Sequence, residues 1–420
     1  MRIWRAEEEL EGLLLDVKAK REEGRREVRE AVQEVKSIVL EKGEEGIVEL
    51  SKRFDGWVDR LPLRVGSEEM EQAFLRVAPE DRALLRRMIR RVAAYHKTQR
   101  RRRTVFRDGI VRVVDSFVPI EKVLVYVPSG SAPYFSSLVM ATVPAKIAGV
   151  SEIMVTTPAR GGRVHDLILT ACKLLGVEKV FRIGGAQAVY AFAYGVGVPR
   201  VDMVVGPGNA YVEEAKRDVF GIVGIDMPAG PTELFVLCMD WVDTEAVAWD
   251  LLSQAEHDEF AVIGLFSRAE EQIAEVYEKA NLLSRRCDRR DRIQRVLEGR
   301  SVFAVFEKEE TAVGAINAIA PEHLEIMGGG GLERGVLYPG VTYVGPHAHV
   351  SLGDYFVGTN HILPTSGAGR FLGGLSVDSF LRRKVVVRVE RGRALLEARR
   401  LAELEGFLAH AEAIAVRGRL

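Results

Sequence analysis

Few side chains in this sequence combine types and spacing that could do chemistry. Gln254 and His257 fall three apart in Ser253-Gln-Ala-Glu-His257, at the end of a helical run from Asp250, a spacing that puts them on one helix face. Imidazole is a good zinc ligand, and an amide oxygen is a harder, rarer one; a surface or internally satisfied histidine explains His257 equally. Gly353-Asp354 precedes Gly358-Thr-Asn-His361, setting a carboxylate and an imidazole in one glycine-rich loop, which a polar turn also explains. Ala320-Pro-Glu-His-Leu324 sets Glu322 beside His323 behind a proline, either a proton-transfer pair or decoration of a helix N-terminus. His410 lies in a C-terminal helix, in Leu404-Glu-Gly-Phe-Leu-Ala-His410. A glycine inside a helix costs about 1 kcal/mol, so Gly406 points to close approach of another group. Together these residues supply His, Asp and Gln for a hard-to-borderline metal and a Glu–His pair for proton transfer.

Three further segments could hold phosphate. Val127-Pro-Ser-Gly-Ser131, Ile183-Gly-Gly-Ala-Gln187 and Val205-Gly-Pro-Gly-Asn209 each join an apolar strand to a helix. Such a turn presents free backbone N–H groups and the positive end of a helix dipole, a natural phosphate cradle. None is a full GxGxxG, and tight packing turns explain each one singly.

The elements that must position these groups alternate. Helical texture runs over 7–54 and 81–99. Strands are expected at 123–127, 152–156, 179–183 and 201–205, with helices at 136–148, 166–175, 186–194 and 210–219 between and after them. A second alternating series starts at 233–237 and continues through 261–266 and 302–306; a strand at 385–389 leads into the last helix. Alternation at these lengths means βαβ units and parallel sheets, which bind ligands at strand ends. The four-arginine run Arg100–Arg103 reads as a solvated helix end. With 420 residues, 47% hydrophobic and 28% charged, the chain is an ordinary globular protein of two or three folding units. Its net charge of −1 argues against nucleic-acid or anionic-membrane partners. Cys172, Cys238 and Cys287 form no CxxC, the first ten residues show no signal-peptide pattern, and no long apolar run occurs; a cytoplasmic protein with reduced thiols is expected. The residues alone reach an α/β enzyme binding NAD or a phosphate, with a metal as an open option.

In order, these segments resemble the histidinol dehydrogenase family. The blocks that carry the resemblance are Tyr126-Val-Pro-Ser-Gly-Ser-Ala-Pro133, Gly184-Gly-Ala-Gln-Ala188, Gly206-Pro-Gly-Asn-Ala-Tyr211, Asp226-Met-Pro-Ala-Gly-Pro231, Leu251-Leu-Ser-Gln-Ala-Glu-His257, Ala320-Pro-Glu-His-Leu324, Gly353-Asp-Tyr355, Gly358-Thr-Asn-His361 and Glu405-Gly-Phe-Leu-Ala-His410. The resemblance implies oxidation of L-histidinol through the aldehyde to L-histidine with two NAD and one zinc per subunit. It implies Gln254, His257, Asp354 and His410 as zinc ligands, which would also touch substrate. It implies Glu322 and His323 as the catalytic pair, with His323, Thr232, His361 and Glu405 at the substrate, and Tyr126, Gln187 and Asn209 at NAD. His410 and Glu405 would reach the site from the partner subunit, so an intertwined homodimer is implied. Two departures stand out: Ser129 where glycine is common, and Thr232 where serine is often seen. A relative acting on another small alcohol, such as a sulfonated diol, is the competing reading; a carboxylate such as Glu405 would repel a sulfonate. A nucleotide-binding protein without turnover is a second, disfavoured by the Glu322–His323 pair and the ligand set.

The expected fold is α/β, with two incomplete Rossmann-like parallel-sheet domains, N-terminal helices and a small dimer-swapped C-terminal segment. One domain would combine 1–122 with 232–374, an inserted NAD-contacting domain would span 123–231, and 375–420 would strap onto the partner.

Overall fold

The computed structural model describes residues 2–22, 25–108, 110–129, 132–389 and 394–417. The chain divides into two compact units, one of residues 1–99 and 120–380, the other of Arg100–Pro119 with the chain from Leu381 onward.

The larger unit holds two fully parallel sheets. One runs Lys179–Phe181, Glu152–Thr156, Lys122–Tyr126, Met203–Val205, Gly224–Ile225. The other runs Ile3–Arg5, Ser301–Val305, Val262–Ser267, Glu233–Cys238, His323–Ile326, Val341–Val344. Numbered by chain order, both follow 3-2-1-4-5, with the N-terminal strand added at the outer edge of the second. The order reverses between the first and fourth strands of each, which is where open α/β sheets leave a crevice.

Period-two alternation fixes what each strand buries. In Lys122–Tyr126, Val123 and Val125 join one core with helices Pro79–Lys97, Phe135–Ala148 and Asp166–Leu175, while Leu124 and Tyr126 join another with Arg25–Lys42, Glu44–Asp55, Gly185–Tyr194 and Ala210–Val219. In Glu233–Cys238, Leu234, Val236 and Cys238 face helices Thr244–Ala255, Glu270–Ser284 and Arg290–Gly299; Phe235 and Leu237 face Ala6–Glu22 and Glu309–Ile319. Strands covered on both faces are apolar over most of their length, which is why these runs were visible in the sequence.

The helical texture over 7–54 resolves into three helices, Ala6–Glu22, Arg25–Lys42 and Glu44–Asp55. Gly43 (φ 63°) separates the second and third, and Gly56 (φ 68°) ends the third in the left-handed conformation that glycine adopts without strain. Among the described residues no helix is long and apolar enough to cross a membrane.

The smaller unit is an antiparallel sheet ordered Leu381–Val389, Val111–Pro119, Thr104–Arg107, with helices Ala394–Leu404 and Leu408–Arg417. Two expectations change here. The arginine run is an exposed connecting segment before Thr104–Arg107 rather than a helix end, because the preceding helix stops at Lys97. Gly406 does not admit a neighbour inside a helix: it has φ 81°, nothing lies within 4 Å of a Cβ built there, and it separates the last two helices.

Candidate active site

A cavity of about 960 Å³ lies in the larger unit and is lined by Tyr126, Gln187, Asn209, Thr232, Gln254, His257, Glu322, His323, Asp354 and His361. The first three stand beyond carboxyl ends of the five-stranded sheet: Tyr126 ends its first strand, Gln187 lies in the first turn of Gly185–Tyr194, and Asn209 caps Ala210–Val219 by accepting from Val212 N at 3.1 Å. Thr232 and Glu322 instead precede the first and fourth strands of the six-stranded sheet, at its amino edge. His323 pairs with Leu234 in parallel register, so the residues just before these strands come side by side. The cavity thus joins a carboxyl edge of one sheet to the amino edge of the other, where strand-start N–H groups are free to hold acidic side chains.

The local geometry corrects two expectations. Glu322 and His323 do not decorate a helix N-terminus: Ala320 takes a left-handed turn (φ 47°) and sends the chain into strand His323–Ile326. His257 lies beyond the helix end, in the turn after Thr244–Ala255, where its N–H donates to Gln254 O at 3.2 Å. Glu405 and His410 belong to the smaller unit, where both are exposed; Glu405 follows Ala394–Leu404, and the His410 ring lies 5.2 Å from Phe407.

Hydrogen bonds order Glu322 and His323. Thr232 Oγ1 donates to Glu322 Oε2 at 2.6 Å, Glu233 N donates to the same oxygen at 2.9 Å, and Gln254 Nε2 donates to Thr232 Oγ1. Glu322 and His323 are 7% and 4% exposed, so both are removed from water. Burial pushes Glu322 up to about 8 against these two donors, and burial pulls His323 down to about 4, leaving it neutral near pH 7. His323 Nδ1 lies 3.3 Å from Glu233 O, which as a carbonyl accepts a hydrogen bond from its N–H, and Nε2 is buried without a partner. That tautomer, set by the hydrogen-bond network, leaves the Nε2 lone pair as a base. Asp354 Oδ1 lies 3.3 Å from His361 Nδ1, and His361 Nε2 lies 3.2 Å from Ser137 Oγ. Burial opposes the Asp354 charge, but the imidazoles of His361, His257 and His323 together hold its carboxyl below the usual range.

The donor set suits a borderline metal. Gln254 is 2% exposed, and its amide nitrogen is engaged by Thr232, which leaves its oxygen free to coordinate. His257 and Asp354 line the same cavity. Among the described residues no three His, Cys, Asp or Glu side chains are gathered as a metal set; the set expected from this unit is two of those types plus an amide.

The glycine turns behave differently from a phosphate cradle. Gly185 N donates to Tyr126 Oη at 3.0 Å, Gly206 N to Asp226 Oδ2 at 2.8 Å and Gly208 N to Glu213 Oε1 at 3.0 Å. Buried Lys216 ties the last turn together, donating to Gly206 O at 3.0 Å and pairing with Asp226 at 2.7 Å. These amides are satisfied internally, beside carboxylates that would repel phosphate. Gly206 is needed for close packing, since a Cβ there would lie 2.1 Å from Tyr126 O. Gln187 Nε2, buried without a partner, is a free donor at this end. Ser129 carries no left-handed backbone and bridges to Pro133, so its Cβ is accommodated; Gly130 and Ser131 of that turn lie outside the described residues.

Several site residues escaped the sequence reading. Glu233 is fully buried, held by Arg21 in a two-pronged ion pair at 2.6 and 2.9 Å, and accepts from Glu322 N at 3.3 Å. Tyr343 stacks on His323, with ring centres 6.4 Å apart. Asp55 lines the cavity, and burial pushes its carboxyl up to about 6. A charged residue opening or interrupting an apolar strand, as Glu233 does in Glu233-Leu-Phe-Val236, is the signal that could have found the first.

Comparison with known proteins agrees with this geometry. The family model for histidinol dehydrogenase matches residues 18–418. A histidinol dehydrogenase of Carboxydothermus hydrogenoformans is 37% identical over 96% of this chain and 97% of its own, and one of Thermococcus kodakarensis is 40% identical over 93% and 99%. The crystal structure of histidinol dehydrogenase from Elizabethkingia anophelis superposes with a TM-score of 0.87 at 30% identity, covering 93% of this chain and 92% of that one. A match along nearly the whole chain, with a buried Glu–His pair lining the cavity, means that the chain belongs to the histidinol dehydrogenase family.

Proposed function

We propose that this cavity carries out both NAD-linked oxidations of L-histidinol, with Glu322 and His323 as the acid–base pair and one zinc per subunit on Gln254, His257, Asp354 and the partner's His410. The observation that carries the reading is the Thr232–Glu322–His323 arrangement: two adjacent buried groups whose acidities are pushed in opposite directions. When bound, zinc supplies orientation and polarisation of the amino alcohol, and NAD supplies the electron acceptor. His323 Nε2 takes the hydroxyl proton of the alcohol, and later that of the hydrated aldehyde. Glu322 takes a proton from the water that adds to the aldehyde carbon. Tyr126, Gln187 and Asn209 hold NAD through side chains, as the internally satisfied turn amides require. Thr232, His361 and the partner's Glu405 line the substrate end.

The homodimer is part of the same proposal. Leu396, Leu401, Leu404, Phe407 and Leu408 are exposed on the smaller unit, an apolar surface that suits a partner. A dimer-swapped C-terminal strap from about residue 375 goes with it, as does a cytoplasmic location. The names of the relatives favour histidinol over a sulfonated diol.

The test is the number of NADH formed per L-histidinol. Two are expected, lost on chelation and restored by zinc. One NADH with accumulating aldehyde, or turnover indifferent to chelation, would sink the four-electron or the zinc reading respectively.

A further inference from the structure

A second polar tier lies one step deeper than the pair already described. His323 and Glu325 are two apart in strand His323–Ile326 and so point to the same face, and Asp250 and Gln254 are four apart on helix Thr244–Ala255 and share a face. Where His323 and Gln254 line the cavity, the Glu325 and Asp250 carboxyls face each other behind them. Glu325 is fully buried, and its Oε2 has no protein donor. Two ionised carboxylates offer only acceptors, so a hydrogen bond between these two carboxyls takes one shared proton. The other Glu325 oxygen, Oε1, accepts from Val350 N at 2.7 Å. Val350 opens the short turn Val350–Leu352, which runs into the π-helical turn Gly353–Val357 bearing Asp354.

We propose that Glu325, accepting from the Val350 amide and sharing one proton with Asp250, is a positioning residue that fixes the turn delivering Asp354 to the cavity. The inference rests on Asp354 being a zinc ligand. Tyr343 completes the brace: its ring stacks on His323, and a Cβ on Gly353 would lie 1.9 Å from its hydroxyl, so glycine is required for this approach. The titratable groups facing Glu325 are Asp250 from the helix, Tyr343 and Cys238 from the flanking strands, and through Asp250 the His349 imidazole, whose Nδ1 lies 4.0 Å from Asp250 Oδ1. None presents a fixed positive charge. Burial, with the Asp250 charge added, pushes Glu325 up to about 9; burial pushes Asp250 up to about 6. One proton therefore stays on the pair at neutral pH.

The experiment compares Glu325→Gln with Glu325→Met in the zinc-loaded full chain. Gln keeps an acceptor for Val350 N and a donor for Asp250, so zinc affinity by chelator competition is expected within about twofold of the unmodified protein. Met removes both, and zinc is expected to bind about ten- to a hundredfold more weakly, with faster amide hydrogen exchange over residues 350–357. Equal loss in both variants would mean that Glu325 is ionised and would overturn the proposal, as would unchanged exchange in Glu325→Met. A second zinc equivalent that disappears in Glu325→Gln would overturn it in favour of a metal on this tier. Should Glu325→Met not fold, pH decides. Above about pH 9 the unmodified protein is expected to lose zinc affinity relative to Glu325→Gln, and a constant ratio would refute the shared proton. Asp354→Asn is measured in parallel: unchanged zinc there refutes the ligand reading alone, whatever Glu325 does to exchange.

Discussion

Replacing Thr232 by Val tests the acid–base assignment through a residue that does no chemistry itself. The change is close to isosteric and removes a hydroxyl that donates to Glu322 Oε2 at 2.6 Å. A hydrogen bond to a charged group is worth about 1.5–3 kcal/mol. At 1.36 kcal/mol per pKa unit, its loss raises the Glu322 pKa by about one to two, from a starting point of about 8. At pH 8 the ionised fraction then falls from about one half to about 1–9%, so water activation at the aldehyde step slows about five- to fiftyfold. His323 makes its own contact, with Glu233 O, and does not use the Thr232 hydroxyl. The same hydroxyl accepts from Gln254 Nε2, so alcohol oxidation at saturating zinc is expected to fall too, but less than aldehyde oxidation. Stopped-flow NADH traces started from L-histidinol and from the aldehyde, at saturating zinc, read the two steps separately. Thr232→Ser keeps the hydroxyl and is expected to keep both rates. Equal falls in the two half-reactions, or a Ser variant as slow as Val, would refute the assigned role of Glu322.

The remaining expectations concern metal and stability. His257→Asn and Asp354→Asn should each lower bound zinc, and metal analysis showing full occupancy in either would remove that residue from the ligand set. Asp55 has a folded pKa near 6 against 3.8 for an ordinary aspartate. The folded state therefore holds the proton more tightly, and stability is lost as pH rises from about 4 to about 6, by up to about 3 kcal/mol. Asp55→Asn should accordingly melt higher than the unmodified protein at pH 8 and show no advantage at pH 4. The same melting difference at both pH values would mean that the Asp55 carboxylate is solvated.

What the sequence made legible follows the range of the interactions. Apolar runs such as Glu233-Leu-Phe-Val-Leu-Cys238 are buried on both faces, so strand positions could be read within a few residues. The site types were legible because Gln, His, Asp and Glu stand beside glycine or proline in short blocks. The use of the glycines was not legible: whether Gly206 N meets a phosphate or Asp226 depends on a carboxylate twenty residues later. The conformation of Ala320 was hidden for a related reason, since alanine carries no left-handed signature, and without that turn Pro321-Glu322 looks like a helix start.

Glu and Lys are by type mostly solvated, yet Glu325 and Lys216 are almost wholly buried. Position is a better guide than type here. Glu325 interrupts the run Leu324–Met327, and Glu233 opens an apolar strand. A charge inside a two-face-buried strand must be held by another buried group, because desolvation otherwise costs several kcal/mol. The same logic explains why Thr232 and Glu322, just before strands, reach the cavity. At the amino edge of a parallel sheet the first N–H groups lack a partner strand, so Glu233 N is free to hold Glu322, and Glu322 N to approach Glu233. An acidic residue at or just before an apolar run, repeated in two strands that pair in parallel, is thus a readable sign of a reactive edge, and in this chain it falls on Glu233 and Glu322.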